Sequence, residues 1–219
     1  MRGKRMSLRS GGLAGLILAG ALLGGTAVPA QAAPVVLTSG HVDIIDVDYA
    51  SGALVVNVLD GTGPTDVERD PADVVFRVPA AAKVSVPSGS AWSFLGTGGQ
   101  AWILPQANTS GLLWAGWNTT EVPSGVFQNN RVTFRLTSVS GPAGFSIYTT
   151  SLGSPTVLFD SGNGLPDNLN VNHNSHAHVN WGFDAAGTYA VTFQVTGTLA
   201  TTGATVSSGS RTFTFEVLA

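Results

Sequence analysis

The residues best suited to chemistry are four histidines in a chain of 219 residues. His173, His176 and His178 fall close together, and His41 lies far upstream. On a strand, His176, His178 and Asn180 share one face while Ala177, Val179 and Trp181 share the other. Alternate strand residues stand about 6.5–7 Å apart, so two imidazole nitrogens on one face can converge on one ion at bonds of about 2.0–2.1 Å. His173, in the run Asn170-Val171-Asn172-His173-Asn174-Ser175, can fold back from a loop. His41 opens His41-Val42-Asp43, another pair of ligand-type side chains two residues apart. The pattern predicts a divalent-metal site built from His41, His176 and His178 with His173 or Asp43, provided the two strands are neighbours. Nitrogen donors suit zinc first, then copper, nickel or manganese. Histidines on an exposed strand, or hydrogen-bonded as neutral rings, are the plain alternative.

Other chemistries fare worse. The chain has no cysteine, which excludes disulfides, a lipoprotein anchor, thiolate zinc sites, iron–sulfur clusters and a cysteine nucleophile. A cupin's two-histidine motif wants a Glu shortly after His178, where the chain instead runs Val179-Asn180-Trp181-Gly182-Phe183-Asp184. A copper monooxygenase brace needs a histidine at the first mature residue, read below as Ala33. No Gly-x-Ser-x-Gly elbow is present, and no pair of carboxylates suggests glycoside hydrolysis. The expectation is a binding protein and not an enzyme.

Export is written at the start of the chain. Arg2, Lys4, Arg5 and Arg9 precede a Leu/Ala/Gly-rich stretch that ends in Ala30-Gln31-Ala32, the order of a secretory signal peptide over residues 1–32. The apolar run is short and interrupted by Gly15, Gly20, Gly24 and Gly25, which argues against a retained membrane anchor. Removing 32 of the 219 residues leaves 187, with six Lys and Arg against thirteen Asp and Glu, a formal charge of −7. Such a charge balance disfavours nucleic acid as a partner. The product is expected to be secreted, with no membrane segment of its own, and to be free or retained at the cell surface.

The elements that must position the histidines read as strands. Candidates are 41–49, 53–59, 73–78, 83–86, 91–95, 101–104, 112–114, 131–139, 144–148, 156–159, 176–183, 188–199 and 211–218. No amphipathic helix is evident, and the long Gly-free stretches alternate with period two. Prolines fall in or beside the connections. The fold expected is all-β: a single antiparallel β-sandwich over 33–219, immunoglobulin-like or jelly-roll-like. Gly187-Thr188-Tyr189 resembles the corner at which many immunoglobulin-like sandwiches tie a tyrosine hydroxyl back to the turn. The Asp/Asn/Gly-rich segment 160–167 reads as a plain turn, with calcium as the alternative.

Trp92, Trp102, Trp114 and Trp117 carry the competing function. Exposed indoles stacked on sugars would make a carbohydrate-binding or cell-surface interaction module with structural histidines, whereas buried indoles would be core.

Several segments together resemble a known family. Ser39-Gly40-His41-Val42-Asp43, Phe94-Leu95-Gly96, Trp102-Ile103-Leu104-Pro105-Gln106, Gly111 to Trp117, Ser140-Gly141-Pro142-Ala143-Gly144 and, most specifically, His176-Ala177-His178-Val179-Asn180-Trp181-Gly182-Phe183 with Gly187-Thr188-Tyr189 are similar to the actinobacterial surface-anchored protein domain, also called choice-of-anchor M. The resemblance spans nearly all of 33–219. It implies an exported envelope protein encoded beside metal-type ABC transporters, and hence a receptor or relay that passes a metal ion or complex to an importer's substrate-binding protein. Cell-wall components are the other partners it suggests. It supports His176 and His178 most, then His41, then His173. The chain departs from the common pattern in lacking a sorting motif or C-terminal span, which favours a form that is not covalently anchored.

Overall fold

The computed structural model describes residues 33–96 and 99–219. The expected signal peptide, residues 1–32, lies outside them. Three sheets account for the described strands. The first holds, in spatial order, β1 (Val35–Leu37), β5 (Val74–Val78), β16 (Thr205–Val217), β15 (Gly187–Thr198), β9 (Arg131–Ser140) and β12 (Asp167–Asn172). The second holds β11 (Ser154–Asp160), β10 (Phe145–Ser151), β14 (Asn180–Phe183), β7 (Gln100–Leu104) and β6 (Lys83–Ser85). The third holds β13 (His176–His178), β8 (Leu113–Asn118), β2 (Gly40–Ala50), β3 (Ala53–Gly61) and β4 (Val67–Arg69).

The fold is all-β and sandwich-like, as the alternation predicts. It is not purely antiparallel, because β1 with β5, β5 with β16, and β2 with β8 pair in parallel. A large apolar core joins the sheets, and a smaller cluster of Leu95, Ala101, Ile103 and Tyr148 lies apart from it. At the centre of the large core Phe145, Trp181, Phe183 and Phe215 pack ring on ring, with centroids 5.0–6.2 Å apart. Burial of such rings is the main apolar driving force of a sandwich.

Three local details differ from expectation. Residues 91–95 lie in a 3-10 helix, Ser90–Leu95, whose flanking Gly89 and Gly96 both have positive φ. Pro155 sits within β11, an edge strand, where a missing backbone donor is tolerated. The stretch 176–183 is two strands in different sheets, β13 and β14, broken at Val179. Asn180 does not share a site with the histidines: it is buried, and its amide bonds to Gln106 and to the carbonyl of Tyr148.

The tyrosine corner is present. Tyr189 donates its hydroxyl to the Ala185 carbonyl at 3.0 Å and accepts from the Ala185 N–H at 3.2 Å. In segment 160–167, Asp160 Oδ1 accepts from the Gly162 N–H at 2.8 Å and Asp167 Oδ2 from the Asp160 N–H at 2.7 Å, a turn closed by its own side chains.

Candidate metal centre

The third sheet turns one face to the core through Val42, Val47, Leu113, Ala115 and Trp117. Its opposite face carries the histidines. β2 runs beside β8 with His41 opposite Trp114 and Asp43 opposite Gly116. On the other side of β8, His178 also stands opposite Gly116 and His176 opposite Asn118. His41 and His176, 135 residues apart, thus meet over one strand.

The donor atoms sit at the spacing of a coordination shell. His41 Nε2 and His176 Nε2 are 3.3 Å apart. Asp43 Oδ1 is 3.1 Å from His176 Nε2, and Asp43 Oδ2 is 3.6 Å from His41 Nε2. Donor atoms of His41, Asp43, His176 and His178 all lie within 4.8 Å of one another. Tetrahedral zinc with bonds of about 2.0–2.1 Å places its ligands about 3.3–3.4 Å apart.

Electrostatics point the same way. Asp43 is only 1 % exposed, and its ion-pair partners among the described residues are the imidazoles of His41 and His176. Burial pushes its carboxyl above the usual range, and those imidazoles offset only part of the shift. Its Oδ2 has no hydrogen-bond partner, and neither ring nitrogen of His178 has one. Buried polar atoms left without partners are costly, so Asp43 Oδ2 and one nitrogen of His178, gathered beside the imidazoles of His41 and His176, suit a cation. Burial, together with positive charge on His41 and His176, lowers the His178 pKa to about 4. This ring therefore offers a lone pair without first giving up a proton.

Two glycines leave room for the cluster. A Cβ on Gly116 would stand 2.7 Å from His178 Nδ1 and 2.8 Å from Asp43 Oδ1; one on Gly61, opposite His41, would stand 2.5 Å from His41 Nδ1. Trp114 stacks on the His178 ring at 3.7 Å, tilted by 16°, and its indole N–H is held by the Gln106 carbonyl at 2.9 Å. The turn before β13 is clamped by Thr119. The Thr119 hydroxyl donates to the Asn172 carbonyl at 2.8 Å and accepts from the Ser175 N–H at 2.9 Å, and its own N–H reaches the Ser175 carbonyl at 2.8 Å.

A β-bulge in β2 between Asp43 and Asp46 sets Asp46 beside Asn118. Asn118 donates to Asp46 Oδ1 at 2.9 Å. Asp46 is 3 % exposed, and burial pushes its pKa up to about 7.

Of the expected ligands, His41, His176 and His178 come together, and Asp43 completes the group. His173 stands outside it: its backbone N–H is spent on the Asn130 carbonyl, and its side chain lines a neighbouring cleft. The turn at Asn174, with φ of 54°, separates it from β13. Sequence reasoning missed Gly116, Gly61 and Thr119, whose roles depend on cross-strand register. The tryptophans form no exposed platform. Trp102, Trp117 and Trp181 are buried, Trp92 and Trp114 are half-buried, and one face of Trp114 is covered by His178. No family model, curated protein or solved structure matches this chain.

Proposed function

We propose that this chain is an exported, non-catalytic binding protein for a divalent metal ion, zinc before others, held by His41, Asp43, His176 and His178. The observation that carries the reading is Asp43, a buried carboxylate without Lys or Arg, framed by imidazole nitrogens at 3.1–3.6 Å. Three nitrogens and one oxygen match zinc's preference. Four protein donors fill a tetrahedral shell and leave no position for an activated water, which favours binding over turnover. The half-exposed His176 side chain, at 45 %, suits an ion that must be loaded and unloaded. The leader-like residues 1–32 support export. The resemblance to the surface-anchored domain supports a role as receptor or relay for a metal ABC importer, whose substrate-binding protein would take the ion.

Calorimetric zinc titration of the tag-free protein tests this. The wild type is expected to take up one zinc per chain, and the His176→Ala/His178→Ala variant none. A folded wild type that takes up no divalent metal overturns the reading.

A further inference from the structure

The four donors are not equivalent. Asp43 and His41 sit on β2, which is hydrogen-bonded on both sides by β8 and β3. His176 and His178 sit on β13, a three-residue edge strand paired with β8 alone. Short edge strands open more readily than central ones, because fewer hydrogen bonds and less buried surface hold them. Within β13 the two histidines differ again. His178 is clamped by the stacked Trp114 ring, and both its nitrogens are closed to solvent. His176 has no ring stacked on it: it meets other imidazoles edge on at 5.0–5.4 Å and Asp43 Oδ1 at 3.1 Å, and its side chain is 45 % exposed against 25 % for His41 and 1 % for Asp43.

A cleft of about 710 Å³ runs along β13 from the side of β12, and its lining includes Asn172, His173, Ser175, His176 and His178. Its lining mixes apolar side chains, Trp117, Leu158, Leu169 and Val171 among them, with Asn, Ser, Thr and His, and holds no Lys, Arg, Asp or Glu. Nothing there repels an approaching chelating group.

Resting on the metal reading above, we propose that His176 is the exchange ligand of this centre. The ion enters and leaves on the His176 side. A donor atom of an incoming chelating group, an imidazole or carboxylate of an acceptor, takes the place of His176 Nε2, and Asp43 and His178 release the ion last. An associative exchange of this kind makes transfer depend on acceptor concentration.

The test loads the tag-free protein with one zinc and follows transfer to a chromophoric aminocarboxylate chelator by stopped flow. In the wild type the rate is expected to rise with chelator concentration. His176→Ala and His176→Asn, changes on an exposed edge, are expected to keep one zinc and to transfer it at least tenfold faster, whereas His178→Gln is expected to hold no zinc at the same concentration. Transfer from both His176 variants at the wild-type rate overturns the assignment, as does loss of zinc from the His176 and His178 variants alike. Wild-type protein that takes up no zinc overturns the metal reading itself, and the two failures are therefore told apart.

Discussion

At the scale of single residues, the account rests on carboxylates placed where water cannot solvate them. Asp46 makes this measurable apart from the metal. Its carboxyl binds a proton more tightly in the fold, with a pKa of about 7, than in the unfolded chain, near 3.8. Stability should therefore fall as pH rises from about 4 to about 7. The full shift corresponds to about 4 kcal/mol at 1.36 kcal/mol per unit, and relaxation of the fold around a buried charge reduces this to about 1–3 kcal/mol. Asp46→Asn keeps the acceptor for Asn118 and is expected to raise stability by that amount at pH 8 and to flatten the slope, measured by urea unfolding from pH 4 to 8. Gly116→Ala works in the opposite direction. The added methyl meets the Ala177 carbonyl at 2.6 Å besides His178 and Asp43. A loss of about 1–3 kcal/mol in thermal unfolding is expected, with zinc affinity down at least about tenfold.

At the scale of elements, the centre depends on how β13 is held. Thr119 is fully buried, and its hydroxyl and N–H bind the turn that leads into that strand. Thr119→Val keeps the shape and strands the Asn172 carbonyl and the Ser175 N–H, so unfolding and zinc titration should show a cost of about 1–3 kcal/mol and weaker zinc binding together. Much of this level was legible from residues alone. The alternation of 41–49, 131–139 and 188–199 announced β2, β9 and β15, and the i, i+2 spacing of His176 with His178 and of His41 with Asp43 announced the cluster that could hold a metal ion. Strand β12 was hidden because Asn168, Asn170 and Asn172 fill its outward positions, leaving Leu169 and Val171 as a thin signal. The break at Val179 was hidden because alternation persists across it, and only the amide partners of Asn180 show that the chain has moved to another sheet. Nothing in the spacing around His173 separates a loop that folds back from one that turns away.

At the scale of the molecule, the two functions assigned to this fold are separable: a core that holds three sheets together and a polar face that gathers donors from distant parts of the chain. Tyr189→Phe addresses the first. It removes the corner bonds to Ala185, and is expected to lower stability by about 1–2 kcal/mol in urea unfolding while leaving zinc affinity unchanged. The acidic balance of residues 33–219, six basic against thirteen acidic residues, draws cations weakly toward the surface, and the coordination geometry must supply the selectivity. The central claim is that His41, Asp43, His176 and His178 form one coordination shell. Zinc-edge X-ray absorption on the tag-free protein carrying one equivalent of zinc tests it directly. The account predicts a four-coordinate ion with three imidazoles and one carboxylate oxygen at about 2.0–2.1 Å, and loss of that signature in Asp43→Asn/His178→Gln. A six-coordinate, all-oxygen shell, or the same spectrum in the variant, would contradict it.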